Sequence, residues 1–329
     1  MARGLSSPRL AYAGWKARAP TTMIAFILPG QGSQSVGMAR DLYEGSETAK
    51  RVLDEIAAAL DFPLLSLMFE GPAEELTLTQ NAQPALLAHS AAAAAMLREG
   101  GVAPAVVAGH SLGEYSALVA AGCLTPVAAA GLVRARGELM AEVGRQVGGT
   151  MAAIIGLTSD LVEQAVAEAS QVGVVCLANL DAPEQIVISG EEAAVRRASE
   201  LASAAGAKRV MPLSVSGAFH SPLMQPAADR FAAVLAQAPL QDAAVPLVSN
   251  VDATPRQDAE SIRAALLAQL TGSVRWHDCT AQIVQMGATS CVEVGPGKVL
   301  TNMLRRAYPD VACQTAGDMA SVTATIEGA

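Results

Sequence analysis

The sequence predicts an α/β fold in which helices cover a parallel sheet and a smaller subdomain is inserted. Two patterns favour this class: short apolar runs alternate with helical periodicity at both ends of the chain, and residues 149–219 follow a different alternation. In addition, 51% of the 329 residues are hydrophobic, which is ample material for a large core.

The first half of the chain predicts strands that each lead into a helix. The apolar run at 24–28 stops at Pro29 and Gly30, a turn signal at the end of a buried strand. The predicted elements, in order, are a strand at 24–28, helices at 39–60 and 83–97, a strand at 102–109 and a helix at 112–121.

Residues 149–219 predict a separate subdomain, because strands at 151–156, 174–178, 185–189 and 209–213 alternate with helices at 160–169 and 191–205. The order βαββαβ is the ferredoxin-like pattern. The large domain is predicted from 23–148 and 220–329, where a helix at 222–237, a strand at 246–250, a helix at 258–270 and a strand at 290–294 continue it. A cleft between the two parts follows.

Residues 1–22 are predicted to be a disordered extension. They carry four basic residues, no acidic residue and no apolar segment typical of a secretory signal, so a transit-like segment is the alternative.

Composition narrows the function classes. The net charge of −9 argues against nucleic acid or a membrane surface as the main partner, and no segment reaches the roughly 18–20 apolar residues of a membrane span. Five scattered cysteines without a C-x-x-C pair predict neither disulfides nor a zinc site. We therefore expect a cytoplasmic, monomeric enzyme or binding protein without a bound metal or cofactor.

The strongest local motif is G-x-S-x-G at 109–113, between a predicted strand and a predicted helix. Glycines allow the tight turn of a hydrolase-like nucleophile elbow, which exposes Ser111 at a helix N-terminus where backbone N–H groups can stabilise an oxyanion. Such a serine needs a base. Of the four histidines, His220 lies where the subdomain returns to the large domain, and is the best candidate.

The other histidines are weaker candidates. His110 adjoins Ser111 and is interpreted as a structural or binding residue, whereas His89 lies in an alanine-rich helix and is expected to pack or face solvent. His277 follows Trp276 and stays open between a surface group and a secondary site residue.

Two glycine-rich loops do not fit nucleotide motifs. Ser35 stands where G-x-G-x-x-G needs glycine, and the loop at 295–298 lacks the residues of a P-loop. The loop around Gln31 is better suited to present a backbone N–H to an oxyanion. Arg134 and Arg136 are two apart on a predicted helix, so only one of them can face the cleft.

Together these motifs resemble the malonyl-CoA:acyl-carrier-protein transacylase family. The resemblance rests on five segments in register from residue 23 onward: Pro29-Gly30-Gln31-Gly32-Ser33-Gln34, Gly109-His110-Ser111-Leu112-Gly113-Glu114, Arg136-Gly137, Gly217-Ala218-Phe219-His220 and Glu293-Val294-Gly295-Pro296-Gly297.

The resemblance implies that Ser111 forms a malonyl-enzyme, with His220 as base and then acid, and that the backbone carbonyl of Gln269 orients His220. It further implies an oxyanion hole from the N–H groups of Gln31 and Leu112. The implied substrate-binding residues are Arg136, which pairs with the malonyl carboxylate, together with Met140, His110, Asn179 and Phe219. Where the family commonly has a second asparagine, this chain has Asp181.

The implied substrates are malonyl-CoA and the phosphopantetheine arm of an acyl carrier protein. Because such carriers are acidic, docking would need a basic patch, for which Lys208-Arg209 or Lys298 with Arg305-Arg306 are candidates. Three alternatives stay open: a serine thioesterase or hydrolase, a free-standing acyltransferase of polyketide synthesis, and a non-catalytic module that binds acyl groups or carriers.

Overall fold

The computed structural model describes residues 23–328, so the predicted extension at 1–22 lies outside the described residues. Its strands are β1 (Ile24–Leu28), β2 (Val106–Gly109), β3 (Thr150–Ile155), β4 (Val175–Ala182), β5 (Gln185–Gly190), β6 (Arg209–Pro212), β7 (Leu247–Val248), β8 (Pro255–Arg256), β9 (Ser290–Val294) and β10 (Ala312–Ala316). Its helices are α1 (Arg40–Gly45), α2 (Glu47–Ala58), α3 (Leu64–Glu70), α4 (Ala73–Thr77), α5 (Thr79–Glu99), α6 (Leu112–Ala120), α7 (Pro126–Val147), α8 (Ser159–Ala169), α9 (Glu192–Ala204), α10 (Gln225–Gln237), α11 (Ala259–Gln269), α12 (Trp276–Gln285), α13 (Val299–Ala307) and α14 (Met319–Glu327).

The larger sheet has six strands in the order β10-β9-β1-β2-β7-β8, parallel except for the β7–β8 pair. Strand β1 lies inside it: Phe26 and Leu28 pack into one core, and Ala25 and Ile27 into the core on the other face. Burial on both faces explains why β1 is a continuous apolar run rather than an alternating one. Because Leu28 pairs with Gly109, the loops that follow β1 and β2 leave the sheet side by side.

The smaller sheet is antiparallel, with the order β4-β5-β3-β6, and packs its own core against α8 and α9. This is the strand order of a ferredoxin-like unit, so the predicted fold class is confirmed. Strand β4 also reaches beyond its sheet, because Leu180 donates to the carbonyl of Val274, and Val274 donates to that of Ala178. Val274 lies shortly after α11, so β4 is joined to the end of that helix.

Several predicted boundaries were wrong. The helix predicted at 39–60 is two helices, because Ser46 adopts an extended backbone and its hydroxyl caps α2 by accepting from the Ala49 N–H at 3.2 Å. Strands predicted at 102–109 and 246–250 are shorter, and the helix predicted at 222–237 opens with a 3-10 turn at Pro222–Met224. Helices α3, α4, α13 and α14 and strands β8 and β10 were not predicted.

Helix α5 begins at Thr79, four residues before its predicted start, and contains Pro84. Proline has no N–H for the carbonyl one turn earlier, which is that of Gln80. Arg134 of α7 supplies the missing donor, with its Nη1 2.9 Å from the Gln80 oxygen. The helix therefore continues through a residue that usually ends one. In the described part of the chain, no helix is both long and apolar enough to cross a membrane.

The elbow depends on two glycines, which gives a stability prediction. A Cβ on Gly109 would lie 1.9 Å from backbone atoms of Gly113, and a Cβ on Gly113 would lie 2.1 Å from the Leu28 oxygen. We expect Gly109→Ala to lower the free energy of unfolding by on the order of 3 kcal/mol, because backbone must move. Gly131→Ala is the control: it meets nothing within 4 Å on α7 and should be stabilising by about 0.5–1 kcal/mol. If denaturant titrations gave the same change in the free energy of unfolding for both variants, the prediction would be contradicted.

Candidate active site

Ser111 lies between β2 and α6 in a strained turn. Its φ of 50° and ψ of −105° are unusual for a residue with a side chain, and the flanking glycines give the turn the room it needs. The backbone N–H of Ser111 donates to the Asn250 Oδ1 at 2.8 Å, while the Asn250 amide donates to the Gly109 carbonyl at 2.7 Å. The turn that presents the hydroxyl is therefore held from both sides.

His220 lies within hydrogen-bond distance of that hydroxyl, with Nε2 2.7 Å from the Ser111 Oγ. Its other ring nitrogen, Nδ1, is 2.9 Å from the backbone carbonyl of Gln269. A carbonyl only accepts, so Nδ1 carries the hydrogen and Nε2 is left to accept from the serine. The structure thus brings Ser111, His220 and Gln269 together, and a carbonyl occupies the place where many serine enzymes use a carboxylate.

Burial, with the positive charge of Arg136 acting in the same direction, lowers the pKa of His220 to about 3. The imidazole is 5% exposed. It is therefore neutral at physiological pH, the state in which a histidine can accept a proton from a nucleophile.

Arg136 is wholly buried on α7 and its guanidinium faces the nucleophile. Its Nη2 lies 3.2 Å from the Ser111 Oγ and 2.9 Å from the Gln269 Oε1, and its Nη1 lies 2.8 Å from the Gln83 Oε1. All three acceptors are neutral. None of the ion pairs found within residues 23–328 includes this arginine.

A buried cation that no carboxylate contacts directly is costly unless an anion arrives to pair with it. The site is therefore suited to a small substrate that carries a carboxylate next to its reacting group. Arg134 projects elsewhere, pairing with Glu138 and lying over the Phe62 ring, so one of the two arginines faces the site, as their spacing predicts.

The predicted oxyanion donors lie next to the elbow. Leu112 is the first residue of α6, and a Cβ on Gly30 would approach the His110 carbonyl to 2.4 Å, so the Gln31 loop packs against the same turn. Among the backbone hydrogen bonds of the described chain, neither Leu112 nor Gln31 donates its N–H. Both N–H groups are available to a substrate oxygen. The Gln31 side chain is held by the Thr79 hydroxyl at 2.6 Å.

Two of the residues predicted to bind substrate, Met140 and Phe219, lie beside this centre. The Met140 sulfur accepts from the Gln83 amide at 3.6 Å, and Phe219, next to His220, lines a cavity of about 640 Å³ together with Gln31. Asn179 lies on β4, where its Oδ1 is buried and has no hydrogen-bond partner in the described residues.

Asp181 has a partner that the sequence did not predict. Its Oδ1 lies 2.8 Å from the Nε2 of His110, and the His110 ring also packs edge-on against Trp276. Since a carboxylate oxygen accepts, His110 is held with its hydrogen on Nε2. Asp181 therefore joins β4 to the residue before the nucleophile.

His89 and His277 lie apart from this centre. His89 is buried in α5 with its Nε2 2.7 Å from the Gly317 carbonyl, as expected for a packed residue, and His277 is half-buried in the first turn of α12. Sequence reasoning missed Glu114, Gln83 and Asn250. Glu114 had a signal, because it follows the elbow directly, whereas the two amides come from distant elements and carry no local motif.

Comparisons with known proteins agree on one family. The acyl transferase domain family matches residues 25–325. A malonyl CoA-acyl carrier protein transacylase of Bacillus subtilis is 48% identical over 284 residues, covering 86% of this chain and 90% of that protein. The protein of the same name from Escherichia coli is 42% identical over 307 residues, covering 93% and 99%.

Solved structures are similar over the same span. One, described as a type II PKS acyl-carrier protein in complex with its malonyl-transacylase, superimposes with a TM-score of 0.90 at 41% identity, covering 94% of this chain and 100% of that one. An acyl carrier protein S-malonyltransferase from Vibrio cholerae has a TM-score of 0.88 at 42% identity, covering 92% and 100%.

The depressed pKa of His220 predicts a pH dependence of stability. The native pKa is about 3 and the unfolded value is near 6.5, so the unfolded state binds the extra proton in between, and stability falls as pH drops below about 6.5. Between about pH 7.5 and about pH 5, protonation of His220 in the unfolded state should lower the free energy of unfolding by about 2 kcal/mol. We expect His220→Gln to lose that much less stability over the range in urea titrations, whereas Ser111→Ala should behave like the parent.

Proposed function

The chain belongs to the acyl transferase domain family, and from this membership we propose that it transfers the malonyl group of malonyl-CoA to the phosphopantetheine thiol of an acyl carrier protein, for fatty-acid synthesis. The observation that carries the proposal is the buried guanidinium of Arg136, 3.2 Å from the Ser111 hydroxyl and without a carboxylate partner within the described chain. A malonyl thioester supplies the missing carboxylate next to the carbonyl that reacts. A cytoplasmic location is part of the same proposal.

In the first half-reaction, the Ser111 Oγ attacks the thioester carbon while its proton passes to the Nε2 of His220. The carbonyl oxygen gains the negative charge, and the N–H groups of Leu112 and Gln31 donate to it. When the tetrahedral intermediate collapses, the C–S bond breaks and His220 returns the proton to the CoA sulfur. A malonyl ester of Ser111 remains.

The second half-reaction reverses these steps with a new thiol. His220 takes the proton of the phosphopantetheine sulfur, the sulfur attacks the ester carbon, and the Ser111 oxygen leaves with the proton from His220. A thioester is exchanged for a thioester, so the enzyme's tasks are positioning, charge stabilisation and exclusion of water.

Arg136 selects the acyl group and also affects the pKa of the base, His220. Its planar guanidinium can bind a carboxylate through two parallel N–H groups, which lysine cannot do. A bound malonyl carboxylate also offsets the charge that depresses the pKa of His220. The correct acyl group therefore makes His220 a stronger base at the moment when a base is required.

An acyltransferase that serves a polyketide synthase is the second candidate, favoured by the similarity to the transacylase solved with a type II PKS carrier. The chemistry at Ser111 is the same. The two differ in the carrier surface that is recognised, so assays with both kinds of carrier separate them.

Intact-protein mass spectrometry tests the main proposal. After brief incubation with malonyl-CoA, the parent should gain one malonyl group that holo acyl carrier protein removes, and Ser111→Ala should gain none. An adduct lost to water regardless of carrier would favour a hydrolase. No adduct with any acyl-CoA would favour a binding module.

Removing the guanidinium should change the preferred acyl group. In Arg136→Ala the malonyl carboxylate would lie unpaired in a desolvated pocket, so we expect malonyl transfer to fall by on the order of 100-fold while acetyl transfer rises relative to it. Arg134→Ala is the matched control, since it removes an arginine from the same helix that contacts Gln80 and Glu138 instead. An unchanged malonyl preference in Arg136→Ala would contradict the role of this residue.

Carrier docking gives a second prediction. Lys208 is exposed and paired with Glu184, next to exposed Arg209, whereas Lys298 and Arg306 are exposed on and beside α13. Charge reversal at the pair that docks an acidic carrier should raise the carrier KM by about tenfold and leave acylation by malonyl-CoA unchanged. A pair whose reversal leaves this KM unchanged is not the docking surface.

A further inference from the structure

Glu114 is a buried carboxylate that the proposed mechanism does not use. It lies in the first turn of α6, three residues after Ser111, and is 1% exposed. Its Oε2 accepts from the side-chain amide of Gln269 at 2.5 Å and from the backbone N–H of Asn250 at 3.3 Å. Burying a carboxylate costs free energy, so we expect a carboxylate that is buried next to a nucleophile to have a role there.

Gln269 joins the parts of the site. Its backbone carbonyl accepts from His220 at 2.9 Å, and its side-chain Oε1 accepts from the Arg136 Nη2 at 2.9 Å. Its Nε2 also donates to the Ser111 carbonyl at 3.0 Å. Gln269 therefore supplies one acceptor for the base, His220, and another for the guanidinium of Arg136.

A glutamine amide can be placed in two orientations, and here only one satisfies its neighbours. If the amide of Gln269 were turned over, its NH₂ would face the guanidinium of Arg136 and its oxygen would face the carboxylate of Glu114. Both contacts would be repulsive. Glu114 and the Ser111 carbonyl on one side, and Arg136 on the other, thus select the orientation in which the oxygen points to Arg136.

Glu114 also acts on the elbow through Asn250. The Asn250 N–H donates to Glu114, and the Asn250 side chain binds the backbone of Ser111 and Gly109 at 2.8 and 2.7 Å. The Glu114 carboxylate is therefore linked through Asn250 to the turn at Ser111. Through Gln269 it is linked to Arg136 and His220.

We propose that Glu114 is a positioning residue for acyl transfer, which fixes Gln269 and through it Arg136 and His220, and whose charge the malonyl carboxylate replaces as the counter-charge of Arg136. This inference rests on the proposed function. It assigns Glu114 no contact with the substrate.

The charge exchange has a pH signature. Burial raises the pKa of Glu114 to about 7, with hydrogen bonds and Arg136 acting in the opposite direction. A second carboxylate beside Arg136 disfavours the charged form of Glu114, so malonyl-CoA should bind best when Glu114 is protonated. We therefore expect the KM for malonyl-CoA to rise as pH increases through neutrality.

The other ionisable groups around Glu114 keep their charge in this range. Burial holds the pKa of His220 at about 3 and raises those of Tyr115 and Cys279, while two arginines remain cationic. These groups are Tyr115 of α6, Arg136 of α7, His220, Arg256 of β8 and Cys279 of α12.

Three variants test the proposal. Glu114→Ala removes both the acceptor and the charge, Glu114→Gln keeps an acceptor oxygen without the charge, and Glu293→Ala is the control. Glu293 is equally buried at the end of β9, where it accepts from the N–H groups of Leu300 and Thr301 at 3.2 and 2.7 Å. It therefore reports the effect of losing a buried carboxylate elsewhere.

The measurements are malonyl-CoA and acetyl-CoA kinetics of acyl-enzyme formation from about pH 6 to about pH 8.5, with thermal melting as a check on folding. Glu114→Ala should lower the malonyl-to-acetyl ratio of kcat/KM by about tenfold. Glu114→Gln should restore most of that ratio and show a KM that no longer rises with pH. Glu293→Ala should keep the parent's ratio even where it melts at a lower temperature.

A folded Glu114→Ala with the parent's ratio would overturn the inference, and so would a Glu114→Gln variant whose KM keeps the parent's pH dependence. If Glu114→Ala does not fold, the pH comparison between the parent and Glu114→Gln decides. A parent that forms no malonyl adduct would overturn the proposed function and this inference together, which separates the two failures.

Discussion

The site depends on one arginine being taken wholly out of water. Arg136 is completely buried, and neutral oxygens of Gln83, Gln269 and Ser111 are its hydrogen-bond acceptors. Neutral acceptors satisfy N–H groups but do not cancel a charge, so the pocket retains a strong preference for an anion. Burial of His220 lowers its pKa and the charge of Arg136 acts in the same direction, so the base is unprotonated before substrate arrives. The buried arginine therefore serves selection of the acyl group and also contributes to the readiness of the base.

Much of the fold could be predicted because its strands are buried on both faces and end at turn residues. The run at Ile24–Leu28 is an example, since its alternate residues fill two cores. Predictions failed where a side chain acts on the backbone. Ser46 interrupts a helical pattern by capping a new helix, and Pro84 lies inside α5 because Arg134 of another helix satisfies the carbonyl it leaves free. Periodicity contains neither kind of information.

The active site likewise contains residues that the sequence could predict and residues that it could not. Ser111 was predictable from its glycines, and His220 from its place at the return from the smaller sheet. Gln269 came only from the family resemblance, because it binds His220 through a backbone carbonyl that any residue type has. Gln83 and Asn250 contact the site across long sequence separations, 53 residues from Arg136 and 139 from Ser111. Nothing local identifies such residues, since their importance arises only when helices and strands pack.

Strand β4 approaches the active site twice while belonging to the smaller sheet. Asp181 holds His110 beside the nucleophile, and the hydrogen bonds around Val274 join β4 to the segment that follows Gln269. A change in how the smaller sheet packs would therefore move the groups beside the serine and the acceptor of the base together. In evolutionary terms, activity in this chain can drift through substitutions among α8, α9 and β4 that leave every residue of the pocket unchanged.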